Sequence, residues 1–209
     1  MIRKNNAKHL TNENQDLQNQ INELYNKYGD CDKFAQKFEE IQRVVYAKKE
    51  QVFFESSPSL RLLEEAYGYN FILRILSYQL IDINTSTNVK LKMGTPQIKD
   101  LSVFFLSDFK DLKISEFLLF IKYCKDAVYG SFYAQVDPHL IKSWFHNNFL
   151  ADRKDIFDNY RLQKYQQAEA EKKQKKELER EQWRKDSVTR QQYEELVAKG
   201  LYKPRYKNE

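Results

Sequence analysis

An all-α fold is predicted for this 209-residue sequence: a compact helical bundle followed by a long charged C-terminal helical tail. Three observations predict it. Glycine (5) and proline (4) are scarce, well below the roughly 12% they make up in an average chain, which disfavours the many tight turns of an all-β protein. Ser, Thr or Asp beside Pro recurs ahead of apolar residues spaced three and four apart, the pattern of capped amphipathic helices. Charge is also unevenly spread: residues 151–209 hold 16 Lys/Arg against 12 Asp/Glu, whereas residues 1–150 hold 19 against 18. With 14 Phe, 14 Tyr and 2 Trp, the first part has ample material for a core.

Residues 1–11 are expected to be flexible, and the head domain to cover 12–150. Asn12 to Tyr28 has Leu17, Ile21, Leu24 and Tyr28 at helical spacing, and Gly29 supplies a C-cap. Asp30 or Asp32 caps a second helix with the stripe Phe34, Phe38, Ile41 and Val45, so the pair suggests an αα-hairpin. Ser57-Pro58 is expected to cap a short helix that ends at Gly68. From Tyr69 to Ile83 the chain is apolar on nearly every side, as a buried central helix would be. Asn84 to Gly94 is polar and is expected to be a loop. Thr95-Pro96 then opens a helix through Leu106, and Ser115-Glu116 opens another through Ala127. Tyr129 to Tyr133 is a turn, and Asp137-Pro138 starts a helix carrying Leu140, Ile141, Trp144 and Phe145.

Residues 151–209 form the expected tail. Between Gln166 and Asp186 the only apolar residues are Ala168, Ala170, Leu178 and Trp183, so no heptad seam can be drawn. Glu169–Lys172, Glu171–Lys175 and Glu181–Lys185 have the spacing of ion pairs on a solvated single helix. Ser187 is placed to cap a last short helix containing Tyr193, Leu196 and Val197 and closed by Gly200.

Several chemistries are excluded. Five scattered glycines form neither a P-loop nor a dinucleotide fingerprint. His9, His139 and His146 lack accompanying ligands for a metal. Cys31 and Cys124 lie far apart without redox spacing, which suits a reducing compartment. Carboxylate pairs such as Glu39-Glu40 and Glu64-Glu65 diverge on a helix. No run is long and apolar enough to span a bilayer. The expectation is a non-enzymatic protein without cofactor or metal, in the cytoplasm of a bacterial host.

Three groups of residues point instead to binding. Lys172, Lys173, Lys175 and Lys176 can contact phosphates, although interleaved glutamates weaken their field. The end of the chain holds Tyr202, Lys203, Arg205, Tyr206 and Lys207, cations and stacking rings together, a combination suited to single strands. Trp144 and Phe145 suit the core, as large aromatics do, but adjacent helical residues point about 100° apart, so one neighbour does not easily bury both and one of them is a candidate to face a partner protein.

The order of signals over about residues 93–160 carries a resemblance. It runs from Thr95-Pro96-Gln97-Ile98-Lys99 through Leu112-Lys113-Ile114-Ser115-Glu116 and Tyr129-Gly130-Ser131-Phe132-Tyr133 to Asp137-Pro138 and Ile141 to Trp144. This order resembles a family of phage and mobile-element proteins from Bacteroides-type bacteria, similar in layout to phage helicase loaders. The resemblance implies a DNA-replication accessory protein that recruits a replicative helicase or another phage protein and touches single-stranded DNA through its tail. It assigns no catalytic residues. The alternative is a virion or assembly protein that uses the tail as a rod or interaction arm.

Overall fold

The computed structural model describes residues 2–187 and 189–201, with side chains from Gln15 onward except Lys185 and Asp186. The protein is all-α. Its helices are α1 (Ile2–Tyr28), α2 (Cys31–Lys48), α3 (Leu60–Tyr67), α4 (Tyr69–Ser86), α5 (Thr95–Asp108), α6 (Ile114–Lys125), α7 (Pro138–Trp144), α8 (Leu150–Asp186) and α9 (Arg190–Ala198). A 3-10 turn, Lys49–Phe53, follows α2, and a π turn, Phe145–Phe149, joins α7 to α8. Among the described residues the only β pairings are two isolated bridges, Ser59 with Lys113 and Leu91 with Gln135. The chain divides into two compact units, Met1–Arg153 and Lys154–Glu209.

Local signals account for many of the boundaries. Gly29 ends α1 at φ +85°, a conformation that glycine adopts without strain. A Cβ there would also meet the Lys33 side chain at 2.7 Å. Asp30 caps α2, its carboxylate accepting from the Lys33 N–H at 3.0 Å. Asp137 caps α7 by accepting from the His139 N–H at 2.9 Å.

Other boundaries differ from expectation. α1 is helical from Ile2, ahead of Asn12. Ser59, not Ser57, caps α3, with Oγ accepting from the Leu62 N–H at 3.2 Å. The chain from Pro58 to Arg61 pairs with residues 110–114 through Leu60 N–H to Leu112 O and Ile114 N–H to Pro58 O, both 2.9 Å. That pairing holds residues 58 and 59 extended and delays the helix. At α6 the Glu116 carboxylate accepts from the Lys113 N–H at 3.3 Å, so Ser115 is inside the first turn rather than at the cap. Thr189, not Ser187, caps α9, with Gln192 Oε1 accepting from the Thr189 N–H at 2.9 Å. Ser187 instead donates to Arg184 O at the end of α8.

The buried central helix is α6, not α4. Every residue from Ile114 to Ile121 is buried, and so is Cys124. α4 buries Ile72, Leu76, Leu80 and Ile83 but leaves Tyr78 and Ile81 exposed. It continues to Ser86, and Asn84 closes the following loop by exchanging two 3.0 Å hydrogen bonds with the Met93 backbone. α1 and α2 are not chiefly a mutual hairpin: α1 packs more on α3, and α2 more on α6. Tyr25 meets the Tyr67 ring at 5.5 Å and donates to Ala66 O.

Around α6 lies an aromatic cluster. Phe145 stands 5.0 Å from Phe105, 4.7 Å from Phe109 and 5.1 Å from Phe120, all in edge-on geometry. Burial also pushes the Cys124 thiol above its ordinary range. Cys31 is half-buried and donates to Tyr67 O. Thiol titration of the native chain is therefore expected to find at most the Cys31 sulfur, with Cys124 reacting only in denaturant. Fast labelling of Cys124 in the native protein would contradict this packing.

Candidate nucleic-acid interface

Trp144 and Phe145 are both buried in the first unit, at 6% and 0% exposure, so neither is a surface for a partner. Two different neighbours take them. Trp144 packs on Phe132 at 4.8 Å between ring centroids, and Phe145 enters the cluster around Phe105. In the π turn that follows, Phe149 stacks under Phe145 at 5.6 Å. The expectation that one ring faces outward considered one neighbour only, and the fold supplies two.

The first turn of α8 is fixed within the first unit. Arg153 Nε donates at 3.1 Å to the carboxylate of Glu116, which is fully buried. Tyr129 donates to Asp152 at 2.9 Å, and burial followed by that carboxylate raises the Tyr129 hydroxyl above its usual range.

The second unit carries the basic residues. Lys172, Lys173, Lys175 and Lys176 all lie on α8 and are exposed. Tyr202, Lys203, Arg205, Tyr206 and Lys207 lie outside the described residues. In linear order the lysines alternate with glutamates, but the helix separates them. At about 100° per residue, Arg161, Lys164, the four lysines, Arg180 and Arg184 fall within an arc of about 200°. The remaining arc carries Glu171, Glu177 and Glu181 and no cation among the described side chains from Asp158 to Arg184.

Three acids do share the basic arc: Asp158, Glu169 and Glu179. Two of them are paired, Asp158 with Arg161 at 2.5 Å and Glu169 with Lys173 at 3.5 Å. This last pair replaces the expected Glu169–Lys172. Lys172, Lys175, Lys176 and Arg180 form no ion pair among the described residues, which leaves their charge available to an external anion.

Two aromatic residues complete the stripe, and the sequence reading passed over them. Tyr165 and Trp183 are 69% and 73% exposed. They are eighteen positions apart, which is five helical turns, so both rings project from the middle of the basic arc. Projecting residues 158–184 onto a helix would have revealed them. A single helical face thus presents cations for phosphates and flat rings for bases.

Elsewhere the described residues hold no group of three or more His, Cys, Asp or Glu placed to share a metal ion. No described helix is long and apolar enough to cross a membrane. Fold and site together define an all-α protein with a basic–aromatic helical face. The chain belongs to the DUF6633 family, a family of unknown function, whose model matches residues 92–198. Neither a curated protein nor a solved structure matches the chain.

Proposed function

We propose that this protein is a non-enzymatic accessory protein that contacts single-stranded nucleic acid through α8. The observation that carries the reading is the alignment of Tyr165 and Trp183 with Lys172, Lys175, Lys176 and Arg180 on one solvated face. Phosphate neutralisation supplies attraction at low salt, and stacking on exposed rings is sequence-tolerant, which suits a protein that must hold any strand. The setting proposed is DNA replication in a phage or mobile element. There the helical head would recruit a replicative helicase or another phage protein, as the resemblance over residues 93–160 implies. Lys203, Arg205 and Lys207, with Tyr202 and Tyr206, extend the same chemistry at the end of the chain.

The test is fluorescence anisotropy of a labelled oligothymidylate with the full chain at several salt concentrations. Replacing Lys172, Lys175, Lys176 and Arg180 with Gln should weaken binding at low salt by at least tenfold. It should also flatten the log–log salt slope by about 0.7 per lost contact. Trp183→Ala should weaken binding with little change in slope, by roughly 1–3 kcal/mol if one base stacks there. Substituting Glu171, Glu177 and Glu181 with Gln should strengthen it. If the four-Gln variant binds as the parent does, α8 is not a polynucleotide contact, and a structural arm in a virion or assembly protein becomes the better reading.

A further inference from the structure

The two exposed rings of α8 are set a fixed length apart. α8 runs from Leu150 to Asp186 without a glycine or a proline, so its sequence contains none of the usual causes of a kink. At about 1.5 Å per residue, Tyr165 and Trp183 stand about 27 Å apart along the axis. At about 100° per residue, Lys172 and Lys176 fall about 20° to either side of the line that joins the rings. They lie about 11 and 17 Å beyond Tyr165. A ring, two cations and a ring therefore follow one another along one straight stripe. Between the rings two acids come within about 40° of that line: Glu169, which Lys173 holds at 3.5 Å, and Glu179.

Both rings are largely exposed, and neither has an aromatic or cationic neighbour among the described residues. Tyr160 is the contrast. It lies about 140° from the stripe, and Lys164 Nζ stands 5.0 Å from its ring centroid. A partner helix would need apolar residues every three or four positions along the stripe. The positions that fall there are Glu169, Lys172, Lys176 and Glu179. The pattern suits instead a ligand with flat faces at its ends and negative charge between them, which an unpaired polynucleotide strand has.

We infer that one unpaired strand engages both rings at once, with a base on each of Tyr165 and Trp183 and phosphates over Lys172 and Lys176. α8 is then a gauge of unpaired length. The inference rests on the polynucleotide contact already proposed for α8. Nucleotides stacked as in a duplex strand advance about 3.4 Å each, so about eight of them span the distance between the rings. A more extended strand needs fewer, but the three steps of a tetranucleotide cannot cover it. Once one ring holds a base, the other meets a base of the same strand at high effective concentration, so the two contacts reinforce each other. A duplex keeps its bases stacked inside and offers its phosphates alone to the stripe.

The experiment measures binding of the full chain at low salt to oligothymidylates of four, eight, twelve and sixteen nucleotides and to a sixteen-base-pair duplex, by competition with a labelled sixteen-mer. Tyr165→Ala should weaken the sixteen-mer at least fivefold, the low end of what one stacked base supplies. It should weaken the four-mer by no more than about twofold, because Trp183 still offers a ring to a strand that can use only one. The effect should grow between four and twelve nucleotides, stay level beyond, and be absent for the duplex. Tyr165→Phe should bind as the parent does. Adding Leu178→Tyr to Tyr165→Ala restores the number of rings but places the new one about 140° off the stripe, so it should not rescue binding. An equal Tyr165→Ala loss at four and sixteen nucleotides, a fivefold loss on the duplex, or full rescue by Leu178→Tyr would each overturn the gauge and leave the phosphate contact standing. If the parent binds the sixteen-mer no better than the variant lacking the four cations, the polynucleotide contact itself fails, and the gauge fails with it.

Discussion

Replacing Phe145 with alanine is expected to lower the unfolding free energy by about 3–5 kcal/mol, the range for removing a fully buried aromatic ring. Phe145 has no exposed surface and touches Phe105, Phe109, Phe120 and Phe149, which come from α5, the segment after it, α6 and the π turn. Truncation therefore opens a void between several elements at once, and none can close it without breaking contacts with the others. The measurement is urea denaturation of the full chain followed by near-ultraviolet circular dichroism, which reads aromatic packing rather than the helicity of α8. Tyr133→Ala is the reference, because that ring is 94% exposed and its loss should stay within about 0.5 kcal/mol. A Phe145→Ala effect no larger than the reference would show that the aromatic cluster is not the core.

Arg153→Met should be comparably harmful for a different reason. Glu116 is completely buried, and the Arg153 guanidinium at 3.1 Å is its cationic partner. Removing one member of a buried pair typically costs about 3–5 kcal/mol, because the remaining charge is stranded in a poorly solvated place. The Arg153 side chain is 36% exposed, so water can enter after its removal, and the lower end of that range is expected. Adding Glu116→Gln to Arg153→Met should recover much of the loss. The amide carries no charge yet still accepts from the Lys113 N–H. Equal instability of the single and double variants in urea would show that the harm came from lost packing, not from an unpaired charge.

Short-range chemistry was readable in the sequence. Asp30, Asp137, Gly29 and Gly68 act as expected because a cap needs only its own neighbours three or four residues on. Ser57 and Ser59 flank the same proline, and the choice between them is made by residues 110–114, about fifty positions away. Likewise α4 and α6 both have strongly apolar windows, and which helix is covered on all sides depends on what packs against it. α6 is covered and α4 is not. Trp144 and Phe145 were misplaced because a single covering neighbour was considered, whereas Phe132 covers one ring and the cluster around Phe105 the other, both set by long-range packing. The basic face of α8 was present in the spacing all along. Its lysines and glutamates alternate along the chain, and only the helical projection separates them.

The π turn has one more consequence. It closes with the Leu150 N–H donating to Phe145 O, a loop one residue longer than an α-turn. Its outward residues, His146, Asn147 and Asn148, are exposed, and of the three only His146 meets the aromatic cluster, its ring 5.3 Å from Phe109. Their number matters a great deal. Deleting any one of them would restore a regular helix and rotate everything beyond it by about 100° relative to Phe145. Phe145 and Arg153 could then no longer both reach the core and Glu116. The surplus residue acts as a phase shifter between an aromatic lock and an ionic one, so Asn147 and Asn148 should accept substitutions readily while the length of the stretch stays fixed.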